Sequence, residues 1–218
     1  MTQPVQTPPT PRLPDAGPEY ARTYFDGLLS TLRLYFNRLN NALSVLFGPL
    51  GGVSLETPYA MLMSNQDQGN PSTTGANLLT YNQPAFMRGV EVRNGGELWF
   101  TQPGQYLVTS TLQVTNRSNA AQVFEVWATY NGAVYPLSNT RFDIPARKSE
   151  SEWSHIVPAI TGIFTVNNPD TDFLAIRWWA SSTLVFIEHY AAQTNPARPE
   201  IPSVILTVNA ISRLPTQP

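Results

Sequence analysis

Few side chains in this sequence could do chemistry, and their spacing limits what that chemistry could be. The histidines are two, His155 and His189, too few for most imidazole metal sites. Glu188 directly precedes His189; in an extended strand such neighbours point to opposite faces and cannot act as an acid–base pair. A satisfied or exposed surface histidine is the expectation at both positions. Glu150 and Glu152 lie beside Arg147 and Lys148, the pattern of a solvated loop. A glycosidase needs two carboxylates facing each other across a cleft, which no spacing here identifies. Asp170 and Asp172 could offer oxygens to a calcium ion, or could be turn-forming side chains that bond their own backbone; the sequence leaves both open. No Gly-x-Ser-x-Gly elbow, phosphate loop, dinucleotide fingerprint or His-Glu-x-x-His motif occurs. The expectation is a protein that is not an enzyme and holds no cofactor, with no catalytic and no metal-binding residue assigned.

Composition points the same way. Charged residues make up 13% of the 218 positions, about half the ~25% of an ordinary soluble domain. Apolar content is ordinary at 42%, so Asn, Gln, Ser, Thr and Pro fill the gap. A surface of neutral hydrogen-bonding groups suits large protein contacts, where each buried charge would be costly. The net charge of −2 gives no basic field to hold nucleic acid or an acidic membrane surface. Cysteine is absent, which excludes disulfide frameworks and thiolate zinc sites. No run approaches the ~20 apolar residues of a membrane-spanning helix. Met1-Thr2-Gln3-Pro4 has neither a basic nor an apolar signal region, so synthesis in a cytoplasm without export by a signal peptide is expected. Asn116-Arg117-Ser118 matches a glycosylation acceptor, which carries no meaning without secretion.

Two kinds of element must position whatever surface matters. Residues 1–18 are proline-rich (Pro4, Pro8, Pro9, Pro11, Pro14, Pro18); proline fixes φ and lacks an N–H, so this stretch is extended. Its composition alone reads as a disordered tail, and held by a neighbouring subunit it becomes an anchoring arm, which is the expectation here. From Glu19 to Phe47 the period is helical. Phe25, Leu32, Leu39 and Leu46 recur every seven residues, Leu28, Tyr35 and Ala42 form a second column, and Leu29, Phe36 and Leu43 a third. Asp26, Ser30, Arg33, Asn37, Asn40 and Ser44 fall opposite. Such a face fits a helix packed on its own domain or one that self-associates into a bundle; Gly27 and Leu34 interrupt the pattern, and periodicity alone does not choose. The oligomerisation residues proposed are Phe25, Leu28, Leu32, Tyr35, Leu39 and Leu46.

After Gly51-Gly52 the period becomes two. Tyr106, Val108, Ser110, Leu112 and Val114 alternate with Leu107, Thr109, Thr111, Gln113 and Thr115; Phe124, Val126, Ala128 and Tyr130 alternate likewise. Phe173–Ala180, Leu184–Tyr190 and Ser203–Ile211 are further strand-like runs, separated by Asn94-Gly95-Gly96, Pro103-Gly104, Asn131-Gly132, Asn168-Pro169-Asp170 and Asn195-Pro196 turns. Short strands at this spacing, with no helical segment between them, predict a sandwich or jelly roll. Trp178 and Trp179 are adjacent and point to opposite faces, so one fills the core and the other needs cover from a sheet, loop or subunit. Tyr106, Trp127, Trp178, Trp179 and Tyr190 are the candidates for head packing or trimer contacts.

Residues 88–210 carry a recognisable order: Gly89-Val90, Gly95-Gly96-Glu97-Leu98-Trp99-Phe100, Pro103-Gly104-Gln105-Tyr106, Tyr130-Asn131-Gly132, Asn168-Pro169-Asp170-Thr171-Asp172-Phe173, then Tyr190, Asn195-Pro196-Ala197-Arg198-Pro199 and Pro202-Ser203-Val204-Ile205-Leu206-Thr207-Val208. This resembles the jelly-roll head of tumour necrosis factor and the complement globular heads. Tyr130 stands where that family has Lys, and Thr171-Asp172 where it has Gly-Asp, so the likeness is to the fold pattern. Leu34-Tyr35-Phe36-Asn37-Arg38-Leu39-Asn40-Asn41 followed by Gly48-Pro49-Leu50-Gly51-Gly52 is similar to the helix that precedes such a head in structural proteins of tailed bacteriophages. The combined resemblance spans roughly residues 30–210. Such heads typically trimerise, so it implies a homotrimer and a three-helix stalk or collar.

The expected fold is mainly β: a jelly-roll sandwich preceded by an N-terminal extended arm and one long α-helix. The expected organisation is an arm over 1–18, a helical stalk over 19–48, a linker over 49–57, a head over 58–213 and a tail over 214–218. The resemblance implies a virion structural protein on the outer surface of a particle, a capsid decoration, cement or head-fibre protein. Residues 1–48 would contact the major capsid protein or another virion protein, with no nucleic-acid or membrane partner. The alternative is a tail-fibre or receptor-binding head that adheres to a host surface glycan.

Overall fold

The structure is a computed structural model that describes residues 10–13, 22–47 and 57–212. Most of the expected arm, the linker up to residue 56 and the C-terminal tail lie outside these residues. The chain divides into two compact units at Glu56/Thr57. Helix α1 runs from Arg22 to Phe47, about 39 Å at 1.5 Å per residue. Nothing in it but Gly27 opposes helix, a cost of ~1 kcal/mol against Ala. The Thr31 hydroxyl donates back to the Gly27 carbonyl at 2.9 Å. Leu28, Leu32, Tyr35 and Leu39 are half-buried on the helix while Phe25, Leu29, Phe36 and Leu43 are exposed. Leu46 lies in the helix, but its side chain is outside the described residues, as are residues 19–21.

The head is built from ten principal strands: β1 (Tyr59–Ser64), β2 (Gln83–Arg88), β3 (Val90–Arg93), β4 (Glu97–Phe100), β5 (Gly104–Leu112), β6 (Gln122–Tyr130), β7 (Thr140–Ile144), β8 (Ala159–Val166), β9 (Phe173–Ala180) and β10 (Val204–Ser212). The first sheet has the order β8-β5-β10-β1-β2 and the second β7-β6-β9-β4-β3, every pair antiparallel. Four short segments, Ser154–Ile156, Val114–Asn116, Val185–Ile187 and Gln68–Gly69, form a small third sheet at one end. The chain passes from sheet to sheet at β2–β3, β4–β5, β5–β6, β7–β8, β8–β9 and β9–β10. Two antiparallel sheets joined by such crossings make a jelly roll, as the alternation and the resemblance imply.

Period-two patterning places the core. Along β5, Tyr106, Val108, Ser110 and Leu112 are buried while their neighbours are at least partly open. From the facing sheet come Leu98, Phe124, Val126, Leu174, Ile176 and Trp178. Phe124 stacks on Trp178 at 5.8 Å and Phe100 packs on Tyr106 at 4.4 Å between ring centres. Strands β1 and β8 are not among those read from the alternation: Met61 and Met63 dilute the β-branched signal of β1, and Gly162 interrupts β8.

The two Asn-Gly turns act as their chemistry requires. Asn94 and Gly95 have φ of 49° and 77°, and Asn131 and Gly132 have 51° and 79°. Consecutive left-handed residues are what the two-residue Asn131-Gly132 hairpin needs to match strand twist, while Asn94-Gly95 opens a three-residue connection closed by Gly96. Gly96 is constrained by space instead: a Cβ there would lie 2.2 Å from the Leu79 carbonyl oxygen. Gly96→Ala should therefore cost at least about 2 kcal/mol and lower the melting midpoint by roughly 4–8 °C, whereas Gly75→Ala, with nothing within 4 Å of its added Cβ, should stay within about 0.5 kcal/mol of the parent. Thermal melts of the two variants check this.

Candidate assembly faces and polar cluster

Each sheet turns one face to the core and one outward, and the two outward faces differ sharply in charge. On the second sheet the outward positions include Glu91, Arg93, Glu97, Glu125, Arg141, Asp143 and Arg177, interleaved with Trp99, Trp127, Phe173 and Trp179 in matched register. These groups satisfy one another. Arg93 pairs with Glu91 at 2.8 Å and lies 4.4 Å over the Trp99 ring, which stacks on Phe173 at 5.0 Å. Arg141 reaches Asp143 at 3.3 Å.

The outward rows of the first sheet run Phe86–Met61–Thr207–Thr109–Thr161, Tyr59–Asn209–Leu107–Ile163 and Met63–Ile205–Thr111–Ala159. Arg88, at the corner opposite Tyr59, is the one charged side chain in these rows among the described residues. Phe86 is 67% exposed, Ile163 58% and Tyr59 44%. An uncharged face five strands wide with open aromatic and aliphatic side chains is the composition of an interface core.

The five head residues singled out from sequence separate into three environments. Tyr106 and Trp178 are buried inside the subunit's own sandwich, and the Tyr106 hydroxyl donates to the Gln102 carbonyl at 2.7 Å. Trp127 and Trp179 are half-buried on the charged outer face. The cover Trp179 requires comes from a loop of its own chain: its Nε1–H donates to the Thr73 carbonyl at 2.7 Å. Tyr190 belongs to a polar cluster beside the small third sheet. The sequence patterning did not single out Tyr59, Met61, Phe86 or Ile163; they lie on β1, β2 and β8.

In the Tyr190 cluster, Val114–Asn116 and Val185–Ile187 pair and bring Thr115, Arg117 and Glu188 together. Arg117 donates to Glu188 Oε1 at 2.6 Å, and its guanidinium lies between the Trp153 and Phe186 rings at 4.1 and 4.2 Å. The Tyr190 hydroxyl donates to Glu188 Oε2 at 2.9 Å and meets His155 Nδ1 at 2.8 Å; Thr115 Oγ1 lies 2.9 Å from the same nitrogen. Burial pushes Glu188 upward, but hydrogen bonds with Thr115, Arg117 and Tyr190 outweigh it and hold the carboxyl below its usual range. Burial, with Glu188 nearby, pushes the Tyr190 hydroxyl up to about 12. Glu188 is thus a paired anion, and its neighbour His189 turns elsewhere, to Glu200 at 3.1 Å. The two adjacent residues do not act together, as the strand argument requires.

Asp172 shows what the paired aspartates do. Its Oδ2 accepts the backbone N–H groups of Asn167 and Asn168, each at 2.8 Å, and its Oδ1 accepts the Asn131 side-chain amide at 3.0 Å. Asp170 is exposed, and its N–H bonds the Asn168 side chain at 3.1 Å. A carboxylate ringed by N–H donors is already neutralised, and the same donors would repel a cation. Among the described residues no group of three or more His, Asp or Glu could hold a metal ion. Asp172 is a turn staple tying the loop before β9 to the Asn131 hairpin, and Asp170 contributes only its backbone N–H to that turn.

No protein-family model matches this sequence, and no curated protein does. Among solved structures, the globular domain of zebrafish complement 1qA protein is similar to this chain. The match covers 73% of this chain and 100% of that domain, with a TM-score of 0.43 and 14% identity.

Burial raises the Asp172 carboxyl, but the N–H groups of Asn168 and Asn167 and the Asn131 amide prevail and bring it down from 3.8 to about 2. A folded-state value below the unfolded one means stability that is full above the unfolded value and is lost as pH falls through about 2. Asp172→Asn should cost on the order of 1–2 kcal/mol at pH 7 and flatten the acid limb of the stability curve between about pH 4 and 2. Denaturant melts across that range check it; an unchanged acid limb would refute the staple.

Proposed function

We propose that this chain is a self-associating structural subunit, a virion protein of the capsid decoration, cement or head-fibre type, whose trimeric jelly-roll heads pack through the outer face of the first sheet. One observation carries the reading: among the described residues that face carries no charged side chain except Arg88, while the opposite face interleaves charges of both signs, with the ion pairs Arg93–Glu91 and Arg141–Asp143. Two five-stranded faces of one sandwich, built from one charge-poor sequence, differ because only one of them is meant for water. Covering Phe86, Ile163 and Tyr59 would contribute roughly 1–2 kcal/mol each, depending on the area closed. The exposed side chains Phe25, Leu29, Phe36 and Leu43 on α1 support a second, helical contact between copies. Residues 1–48 anchor the assembly to the major capsid protein or another virion protein, on the outside of the particle. The virion setting rests on the sequence resemblance of the helix and the segment after it.

Native mass measurement on the full chain should give three times the chain mass. Phe86→Lys with Ile163→Glu should yield folded monomer, whereas Asp143→Lys on the opposite face should leave the trimer intact. Removal of residues 1–18 should release the protein from particles while the head stays folded. A monomeric parent protein, or a trimer indifferent to the double variant, would overturn the assignment of the face.

A further inference from the structure

Leu137 breaks two rules at once. Its φ is 60°, and its side chain is 105% exposed. Left-handed backbone crowds a Cβ against the following carbonyl. The other described non-glycine residues with positive φ are Asn94 and Asn131, a type that tolerates the region through its short polar side chain. Leu137 sits in the turn Tyr135–Ser138 directly after Pro136. A positive φ after proline is the type II pattern, in which glycine or asparagine ordinarily takes the second central position. Glycine here would relieve the backbone and remove the exposed apolar surface together, so nothing within the subunit accounts for a leucine.

The turn is also held firmly. The Tyr135 N–H bonds the Ala128 carbonyl at 2.9 Å, and Ser138 Oγ donates to the Tyr135 carbonyl at 2.7 Å while accepting the Ala128 N–H at 3.0 Å. The Tyr135 ring packs edge-on against Phe164 at 5.2 Å. Leu137 is thus presented to solvent on a fixed support, around one opening with Thr161 and Ile163 of β8. That places it at one edge of the uncharged face.

The opposite edge of the same sandwich carries a recess. The first sheet ends at β8 and β2, the second at β7 and β3. Between β2 and β3 lies a cavity of about 280 Å³, walled by Pro84, Met87, Val92 and Tyr81. The Asn82 amide beside it is already bonded to Asn65 at 2.7 Å, and no charged side chain lines the space. Met87 is 41% exposed, and an unbranched thioether adapts to what it receives.

We propose that Leu137 of one copy inserts into the Pro84–Met87–Val92 recess of the next copy. The inference rests on the self-association read above and gives it a direction: one edge of each head meets the opposite edge of its neighbour. Such a heterologous contact closes into a ring when its rotation allows, and a trimer is such a ring. A contact related by a two-fold axis would instead set Leu137 against the same surface on its partner and leave the recess empty.

The chain has no cysteine, so introduced thiols report on this contact alone. The full chain carrying Leu137→Cys and Met87→Cys together, treated with a short bis-maleimide, should give covalent trimers on a denaturing gel, while each single variant stays monomeric. Leu137→Gly should not lower the melting midpoint in dilute protein, yet it should weaken trimer formation roughly tenfold or more per contact. A Leu137→Cys variant that cross-links to itself, or a Leu137→Gly variant whose trimer dissociates as the parent does, would overturn the inference and leave the trimer standing. A double variant that is trimeric by native mass but does not cross-link would do the same. A parent protein that is monomeric by native mass would overturn both.

Discussion

A β-sandwich can hide only its two inner faces, and each sheet's second face must either suit water or be covered. In this head the requirement is met in opposite ways on the two sides. The second sheet carries alternating charges in register, so that Glu91, Arg93 and Glu97 surround Trp99, and Arg141 answers Asp143. The first sheet offers Thr, Met, Tyr, Ile and Phe in the equivalent places. With only 13% charged residues in the chain, where the charges are placed says as much as how many there are. Among the described residues the charges are gathered on the second sheet's outer face, leaving Arg88 as the one charged side chain on the first.

The polar side chains that invite a catalytic reading are used to hold the ends of the sandwich together. Glu188 is buried, but Arg117 and Tyr190 occupy both of its oxygens, and Arg117 is in turn held between two aromatic rings, an arrangement worth about 1–2 kcal/mol when desolvated. Asp172 ties the loop before β9 to the neighbouring hairpin through N–H donors. Asp172 takes up the N–H groups of Asn167 and Asn168 in a connecting loop, which is where side-chain hydrogen bonds are needed most, whereas Arg117, Glu188 and Tyr190 have paired backbone and tie together the chain around the small third sheet. Ser110 is the contrast: a buried polar group within a regular strand, already paired through its backbone, whose hydroxyl serves no structural bond.

Much of this fold was legible from the residues because its signals are local. The Asn94-Gly95 and Asn131-Gly132 turns demand positive φ, and alternation in β5 and β6 assigns the inward row directly. The helix follows from its apolar columns, ending at Phe47 as the Gly48-Pro49 pair implies. The assembly face was not legible, for two physical reasons. Its strands β1 and β8 carry methionine and glycine where β-branched residues would mark them, and a face is made of rows crossing five strands distant in sequence. Trp127 and Trp179 drew attention for their size, yet size says nothing about which side of a sheet is charged. At Asp170 and Asp172 the residues admit an ion as well as the more ordinary turn, because the choice depends on whether donors or acceptors surround the carboxylate.

The central claim is that the uncharged face of the first sheet is covered by other copies of the chain. Residue-resolved hydroxyl-radical labelling of the full-length protein, over a dilution series from micromolar to nanomolar, tests it most directly. Met61, Met63 and Phe86 should be labelled several-fold more slowly in the concentrated protein, while Trp127 on the opposite face keeps one rate throughout. Equal rates for Met61, Met63 and Phe86 at every concentration, in a protein whose mass changes on dilution, would place the contact elsewhere and contradict the account.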